Sequence, residues 1–343
     1  MVAETPDRER GFTLIELLIS MTIVLLVLGA SLTTFTSALK VNAAGTELGD
    51  ASQNLRAGTD LMVRDLLQTG AGIPTGGIPI PSGAGATPLD RPGVPGTAPK
   101  FNPALDVLPA ITPGMGLGST VNGQATDEVT LLYADSSLPL DQTPLTAIAS
   151  DGSSMTVDPG TPITDADSGI KVGDLIMFSN AIGNAIQMVT RVSGGQTVYF
   201  DAGDPMNLNQ RGAAQGTIMQ LQSSPGVFPP TTATRIDMIT FYVDQTTTPG
   251  EPRLVRQVDF GPPLALAGVV EDLQISYNLV DGVTNPTDVK SPVAPNTPNQ
   301  IRSINLQIGV RSEDKVAPLN DYLRAYLNTQ ITVRNLAYVD RYQ

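Results

Sequence analysis

The chain has 343 residues, 33 acidic against 20 basic, a net charge of −13, and neither cysteine nor histidine. An acidic chain without a basic cluster argues against a nucleic-acid partner. The missing Cys excludes disulfides, thiolate nucleophiles and Cys metal sites, and the missing His removes the commonest general base and transition-metal ligand. No catalytic, cofactor-binding or metal-ligating residue is therefore assigned, and no cofactor is expected.

Residues 1–11 form a polar leader in which Glu4, Asp7 and Glu9 outweigh Arg8 and Arg10. Gly11-Phe12-Thr13-Leu14-Ile15-Glu16 then opens an apolar run to Leu39 whose one charge is Glu16. The run exceeds the roughly 20 residues a helix needs to span a bilayer. A carboxylate at mid-membrane costs on the order of 2.5–3.5 kcal/mol. Glu16 lies only about 6 Å along the helix, at about 1.5 Å per residue, so it can stay near the headgroups, yet it still calls for a partner. An ordinary secretory signal fits poorly, because its apolar core is about 7–15 residues before a small-residue cleavage site. Gly29 and Thr33 form a small-xxx-small pair that permits close helix packing.

Residues 40–69 continue the helix as an amphipathic half. Leu48, Ala51, Leu55, Met62 and Leu66 recur at helical spacing, leaving Asp50, Arg56, Asp60 and Arg64 mostly elsewhere. Gly70 and Pro74 end it, and no proline interrupts Phe12–Ile73, which allows one helix of about 55 residues. Arg64-Asp65 reads as a solvated or capping pair. The Gly/Pro-rich stretch 70–118 reads as a loop laid over the surface or partly disordered, because it offers little apolar surface for a core of its own, with Phe101, Leu105, Val107, Leu108 and Ile111 as candidate anchors of its second half.

Residues 119–343 read as strands. Asp127–Ala134 alternates, and short strands are expected at Asp174–Ser179, Ala185–Val192, Gln196–Phe200 and Thr217–Leu221. The region of about 165–222 is expected to be an inserted β-module. Its Asp165-Ala166-Asp167-Ser168-Gly169 stretch is half a calcium loop, lacking a third oxygen ligand and the distal Glu, and reads better as an acidic turn. Ile236–Val243 and Arg253–Asp259 predict a hairpin. Val269–Leu279, a Pro/Asn-rich loop, the alternating Ile304–Val310 and Thr329–Asn335 complete the sheet. The predicted class is α+β: a long N-terminal helix, membrane-spanning in its first half, packed on an antiparallel sheet.

The leader, the Gly11-Phe12 junction, Phe-Thr-Leu-Ile-Glu and the apolar helix together resemble the N-terminal signature of type IV prepilins and pseudopilins. The resemblance implies cleavage by a prepilin peptidase between Gly11 and Phe12, N-methylation of Phe12, and pairing of Glu16 with the amino terminus of a neighbouring subunit. Leu61-Met62-Val63-Arg64-Asp65-Leu66, Ile236–Tyr242, Glu271-Asp272-Leu273, Val310-Arg311-Ser312 and Val333-Arg334-Asn335 resemble stretches of the PilW-type minor pilins. The unbroken helix departs from the proline common in major pilins. The implied role is a low-copy subunit that primes or caps a type IV pilus. Implied partners are the other minor and major pilins through the N-terminal helix, the pilus assembly platform and the inner membrane. The implied location is the inner membrane, as a single-pass protein with a periplasmic C-terminal domain, and then the pilus fibre or cell surface. Alternatives are a J-type minor pseudopilin of a type II secretion system, and a membrane-anchored adhesin or enzyme that uses a prepilin-type signal.

Overall fold

The structure is a computed structural model that describes residues 12–138, 140–315 and 320–337. The leader and Gly11 lie outside these. The chain divides into two compact units, residues 1–50 with 312–323 and residues 51–311 with 324–343. Helix α1, Leu14–Gln68, runs through both stretches.

Within the first unit α1 carries the apolar run. Leu14, Leu18, Leu25, Leu28, Leu32 and Phe35 are all exposed. Ser312 and Leu323 are tied to each other: Ser312 N–H donates to the Leu323 carbonyl (2.8 Å), and Leu323 N–H donates to Ser312 Oγ (3.1 Å).

In the second unit the sequence periodicity becomes packing. Leu55, Met62 and Leu66 are 3%, 0% and 0% exposed, whereas Arg56, Asp60 and Arg64 face solvent. Full burial of each such side chain is worth about 1.5–3 kcal/mol. Gly70 stops the helix: its φ of +82° is left-handed, and its N–H donates to the Leu132 carbonyl (2.8 Å).

The larger sheet has seven strands: β1 (Ile111–Gly114), β2 (Glu128–Asp135), β3 (Leu175–Ser179), β4 (Asn184–Met188), β5 (Thr232–Asp244), β6 (Arg253–Val258) and β7 (Leu264–Ala267). β5 is central. One edge takes β2, antiparallel through Arg235–Phe241, with β1 beyond it. The other edge forks, its first half pairing β3 and its second half β6. Asp259 fills the fork: its N–H donates to the Met238 carbonyl (2.7 Å), and Met238 N–H donates to its Oδ1 (3.1 Å). A second sheet is a meander of β8 (Val270–Leu279), β9 (Ile301–Arg311) and β10 (Arg324–Thr332). The main core joins Leu55, Met62 and Leu66 of α1 to Phe241 of the first sheet and to Ile275 and Ile308 of the second. The chain is thus α+β, a long apolar helix with antiparallel sheets.

Three expectations change. The insertion has its own core, from Leu138 to Ala233 and including Phe178 and Phe200, which is wider than 165–222. It holds a small four-stranded sheet over residues 147–199, but the β3–β4 hairpin belongs to the large sheet. Thr217–Leu221 is not a strand: Ile218–Leu221 is a 3-10 turn, because Thr217 and Gln220 make a reciprocal capping box. The Gly/Pro stretch is laid down firmly. Ile78, Ile80, Leu89, Phe101 and Leu108 are buried against Leu132, Leu175 and Met238 on the second face of the large sheet. Its few apolar residues use that face as their core instead of building one.

Candidate functional site

The apolar helix begins with a local polar device. Thr13 N–H and Thr13 Oγ each donate to Glu16 Oε2 (3.0 and 2.9 Å), and Glu16 N–H donates back to Thr13 Oγ (3.4 Å). This is a capping box, which satisfies N–H groups that a helix start leaves open. The Thr-x-x-Glu spacing carries that signal in the sequence, beside the expected pairing of Glu16 with another subunit. Phe12, at 78% exposure, precedes it. Gly11, the other half of the expected cleavage site, is outside the described residues. Further along, Gly29 has open space around its Cα and its carbonyl accepts from Thr33 Oγ (2.6 Å). α1 is long and apolar enough to cross a membrane by length and composition.

At the other end of α1 the expected Arg64-Asp65 pair separates. Arg64 is solvated, but Asp65 is 3% exposed. Its Oδ2 accepts from Arg256 Nε of β6 (2.7 Å), and its Oδ1 accepts from the Tyr133 hydroxyl of β2 (3.2 Å). Burial and the Asp65 charge beside it raise the Tyr133 phenol well above its usual range. Asp65 thus fastens the last turn of the helix to two strands. Its sequence signal was a carboxylate one residue before the stripe position Leu66.

Other quoted stretches also converge. Glu271 accepts from Arg311 Nε (3.0 Å) and Arg324 Nε (2.8 Å), tying β8, β9 and β10 at one end. Arg91, in the Gly/Pro stretch, is buried with Glu128, Nε to Oε1 2.6 Å, while its Nη atoms donate to the Thr112 and Pro113 carbonyls. Burial pushes the Glu128 carboxyl up to about 7, against the pull of Arg91. The sequence gives no local signal for the pair, because Arg91 sits among glycines and prolines. The acidic turn spends Asp165 on itself: Oδ1 accepts from Asp167 N–H, Ser168 N–H and Ser168 Oγ. Arg235 then grips the turn through the Ser168 and Gly169 carbonyls.

These arrangements are ion pairs and caps with their polar groups turned on one another. Their chemistry is attachment, of helix to sheet and of loop to sheet.

A profile of the prokaryotic N-terminal methylation motif matches residues 6–32. A type IV-like pilin from Thermus thermophilus is similar to this chain at 14% identity, over 48% of this chain and 87% of that one, with a TM-score of 0.18, too low for the superposition to bear on the fold. No curated protein matches. The methylation motif thus stands at the head of a long apolar helix in an α+β chain.

Proposed function

We propose that the protein is a PilW-like minor pilin, cleaved by a prepilin peptidase between Gly11 and Phe12, methylated on Phe12, and built into a type IV pilus at low copy. The observation that carries this is the first half of α1. Its apolar side chains are exposed throughout, and among the described residues its one carboxylate has Thr13 alone as a partner. Such a helix is unstable in water and half-satisfied in lipid. A bundle of like helices covers the side chains, and a neighbouring amino terminus neutralises Glu16. Before assembly the protein rests in the inner membrane with residues 40–343 in the periplasm. The long unbroken helix and the elaborate second unit favour a specialised subunit over the bulk one. The attachments described above support a structural role with no reaction of its own.

The test is to shear surface fibres from native cells and identify their subunits by mass spectrometry. The expected result is this chain, beginning at methylated Phe12, at a small fraction of the major subunit. Its absence from fibres, with co-purification in a secretion complex, would transfer the protein to the pseudopilins. An N-terminus near Ala30 or Ala44 would remove it from both.

A further inference from the structure

We infer that the outer face of the three-stranded sheet is a binding site for a neutral oligosaccharide. Along β8, β9 and β10 the inward positions are mostly apolar, and the outward ones are mostly uncharged and polar, with Asp272, Arg311 and Arg324 gathered towards one end. Gln274, Asn305, Gln307, Asn328 and Gln330 line a groove of about 430 Å³ on that face, within the few hundred Å³ usual for small-ligand sites. Each carboxamide offers one acceptor and two donors on a single planar head. That is the complement a sugar ring needs, since each hydroxyl both donates and accepts.

Three further observations favour a sugar over bare solvent. First, one wall is built and it sets the amides. Asp288, from the loop after β8, accepts from Asn305 Nδ2 (2.6 Å) and Ser276 Oγ (3.1 Å), and Lys290 Nζ donates to Gln274 Oε1 (3.1 Å). These are the charges on that wall, and they are opposite in sign. Second, two of the amides are only partly used: Gln307 Nε2 donates to Asp272 Oδ2 (3.3 Å) and Gln330 Nε2 to Ser303 Oγ (3.4 Å), whereas Gln274 Nε2 is already spent on the Ala125 carbonyl and Asp272 Oδ1 (3.1 Å each). Third, Tyr326 stands at the end of the row. Its ring lies over Gly309, whose missing side chain leaves the room, since a Cβ there would sit 2.8 Å from Tyr326 Cε1. Covering a strand glycine is a structural use of an aromatic. Even so, Tyr326 remains 59% exposed, so the ring still offers an apolar surface to the C–H face of a sugar. Asp272 beside Gln307 gives the groove two carboxylates against the one Lys290 ammonium, so in a chain of net charge −13 it repels an anionic polymer and leaves its amides to a neutral one.

The test uses the full-length protein in a zwitterionic, sugar-free detergent, titrated calorimetrically with cellohexaose, maltohexaose and chitohexaose, with hyaluronan as the charged control. At least one neutral hexasaccharide is expected to bind and hyaluronan is not. Tyr326→Ala is expected to weaken binding about tenfold, the equivalent of about 1.4 kcal/mol, while Tyr326→Phe keeps most of it. The double variant Asn328→Ala/Gln330→Ala, on exposed positions, gives an independent loss if Tyr326→Ala melts early. The inference is overturned if no neutral hexasaccharide binds at millimolar concentration, if both variants bind as wild type, or if hyaluronan binds as well as the neutral chains. None of these readouts involves residues 11–16, so this inference and the pilin assignment fail separately.

Discussion

Asp65, in the last turn of α1, meets Arg256 of β6 at 2.7 Å with the carboxylate 5% exposed. The pair joins residues far apart in the sequence, and Tyr133 completes it from a third element. A buried ion pair adds little over a well-packed apolar one, but removing one partner strands the other. Asp65→Ala is therefore expected to cost roughly 3 kcal/mol, read as a lower urea midpoint in the chain lacking residues 1–39. Arg256→Ala should cost less, because its side chain is 18% exposed and leaves a carboxylate that Tyr133 and water can serve. A double variant should cost about as much as the worse single one, since the two side chains act as a unit. Additive losses would show that the pair does not couple helix to sheet.

Acidification supplies a second prediction. Burial holds the Glu128 carboxyl at about 7, and burial with the nearby Asp135 charge holds Asp237 at about 6. Both values are raised above those of the unfolded chain, so the folded chain keeps protons that the unfolded chain has released. Stability should thus fall as pH rises through about 5–7. Below about 4 the sign reverses, because groups such as Asp151, held low by the Ser153 hydroxyl and N–H, take up protons more readily in the unfolded chain, which acid therefore favours. The melting temperature should peak near pH 5, a few degrees above its value at pH 7.5. Glu128→Gln should flatten the upper limb. An upper limb identical to wild type would clear Glu128 of the effect.

Much of this was written locally. The stripe Leu55, Met62, Leu66 and the alternation Ile304 to Val310 need only a period to be read, and both bury as that period requires. The Thr13–Glu16 cap was also written in the sequence, but a membrane carboxylate draws attention to distant partners before near ones. What was illegible is pairing across the chain. Arg91 with Glu128, Asp65 with Arg256, and Ile80 under the large sheet all depend on which surfaces meet, and composition carries no trace of that. The order of the loop around Ile80 is illegible for the same reason: a segment too poor to fold alone is held by a face that lacks a cover.

That ordering has a hinge-pin in Gly216. Its φ of +69° is left-handed, and a Cβ there would come within 1.8 Å of the Ile80 carbonyl oxygen. Next to it, Gln215 exchanges backbone hydrogen bonds with Ser82. Gly216→Ala should therefore release the stretch around Ile78–Ile80 and cost more than the roughly 1 kcal/mol typical of a point substitution. Limited digestion by a broad-specificity protease separates the two states. In the wild type the first cuts should fall in the exposed loop 282–297, whereas in the variant new cuts should appear between residues 78 and 108. Early cutting there in the wild type would mean that the stretch is not held to the sheet.

The capping box gives Glu16 two separable duties, and one series of variants tells them apart. As a cap, Glu16 needs only an acceptor oxygen for Thr13, which Gln also supplies; loss of such a contact costs about 1 kcal/mol of helix stability. As the partner of a neighbouring amine it needs its charge, which Gln lacks. Under the assembly proposal, Glu16→Gln and Glu16→Ala should both be cleaved after Gly11 yet enter fibres poorly. Thr13→Ala, which breaks the cap but keeps the carboxylate, should be cleaved and should assemble near the wild-type level. The measurement is the ratio of fibre-borne to membrane-borne chain, with cleavage scored by N-terminal mass. If Glu16→Gln assembles as well as wild type while Glu16→Ala does not, the carboxylate serves the helix start alone, and pairing with a second subunit is wrong.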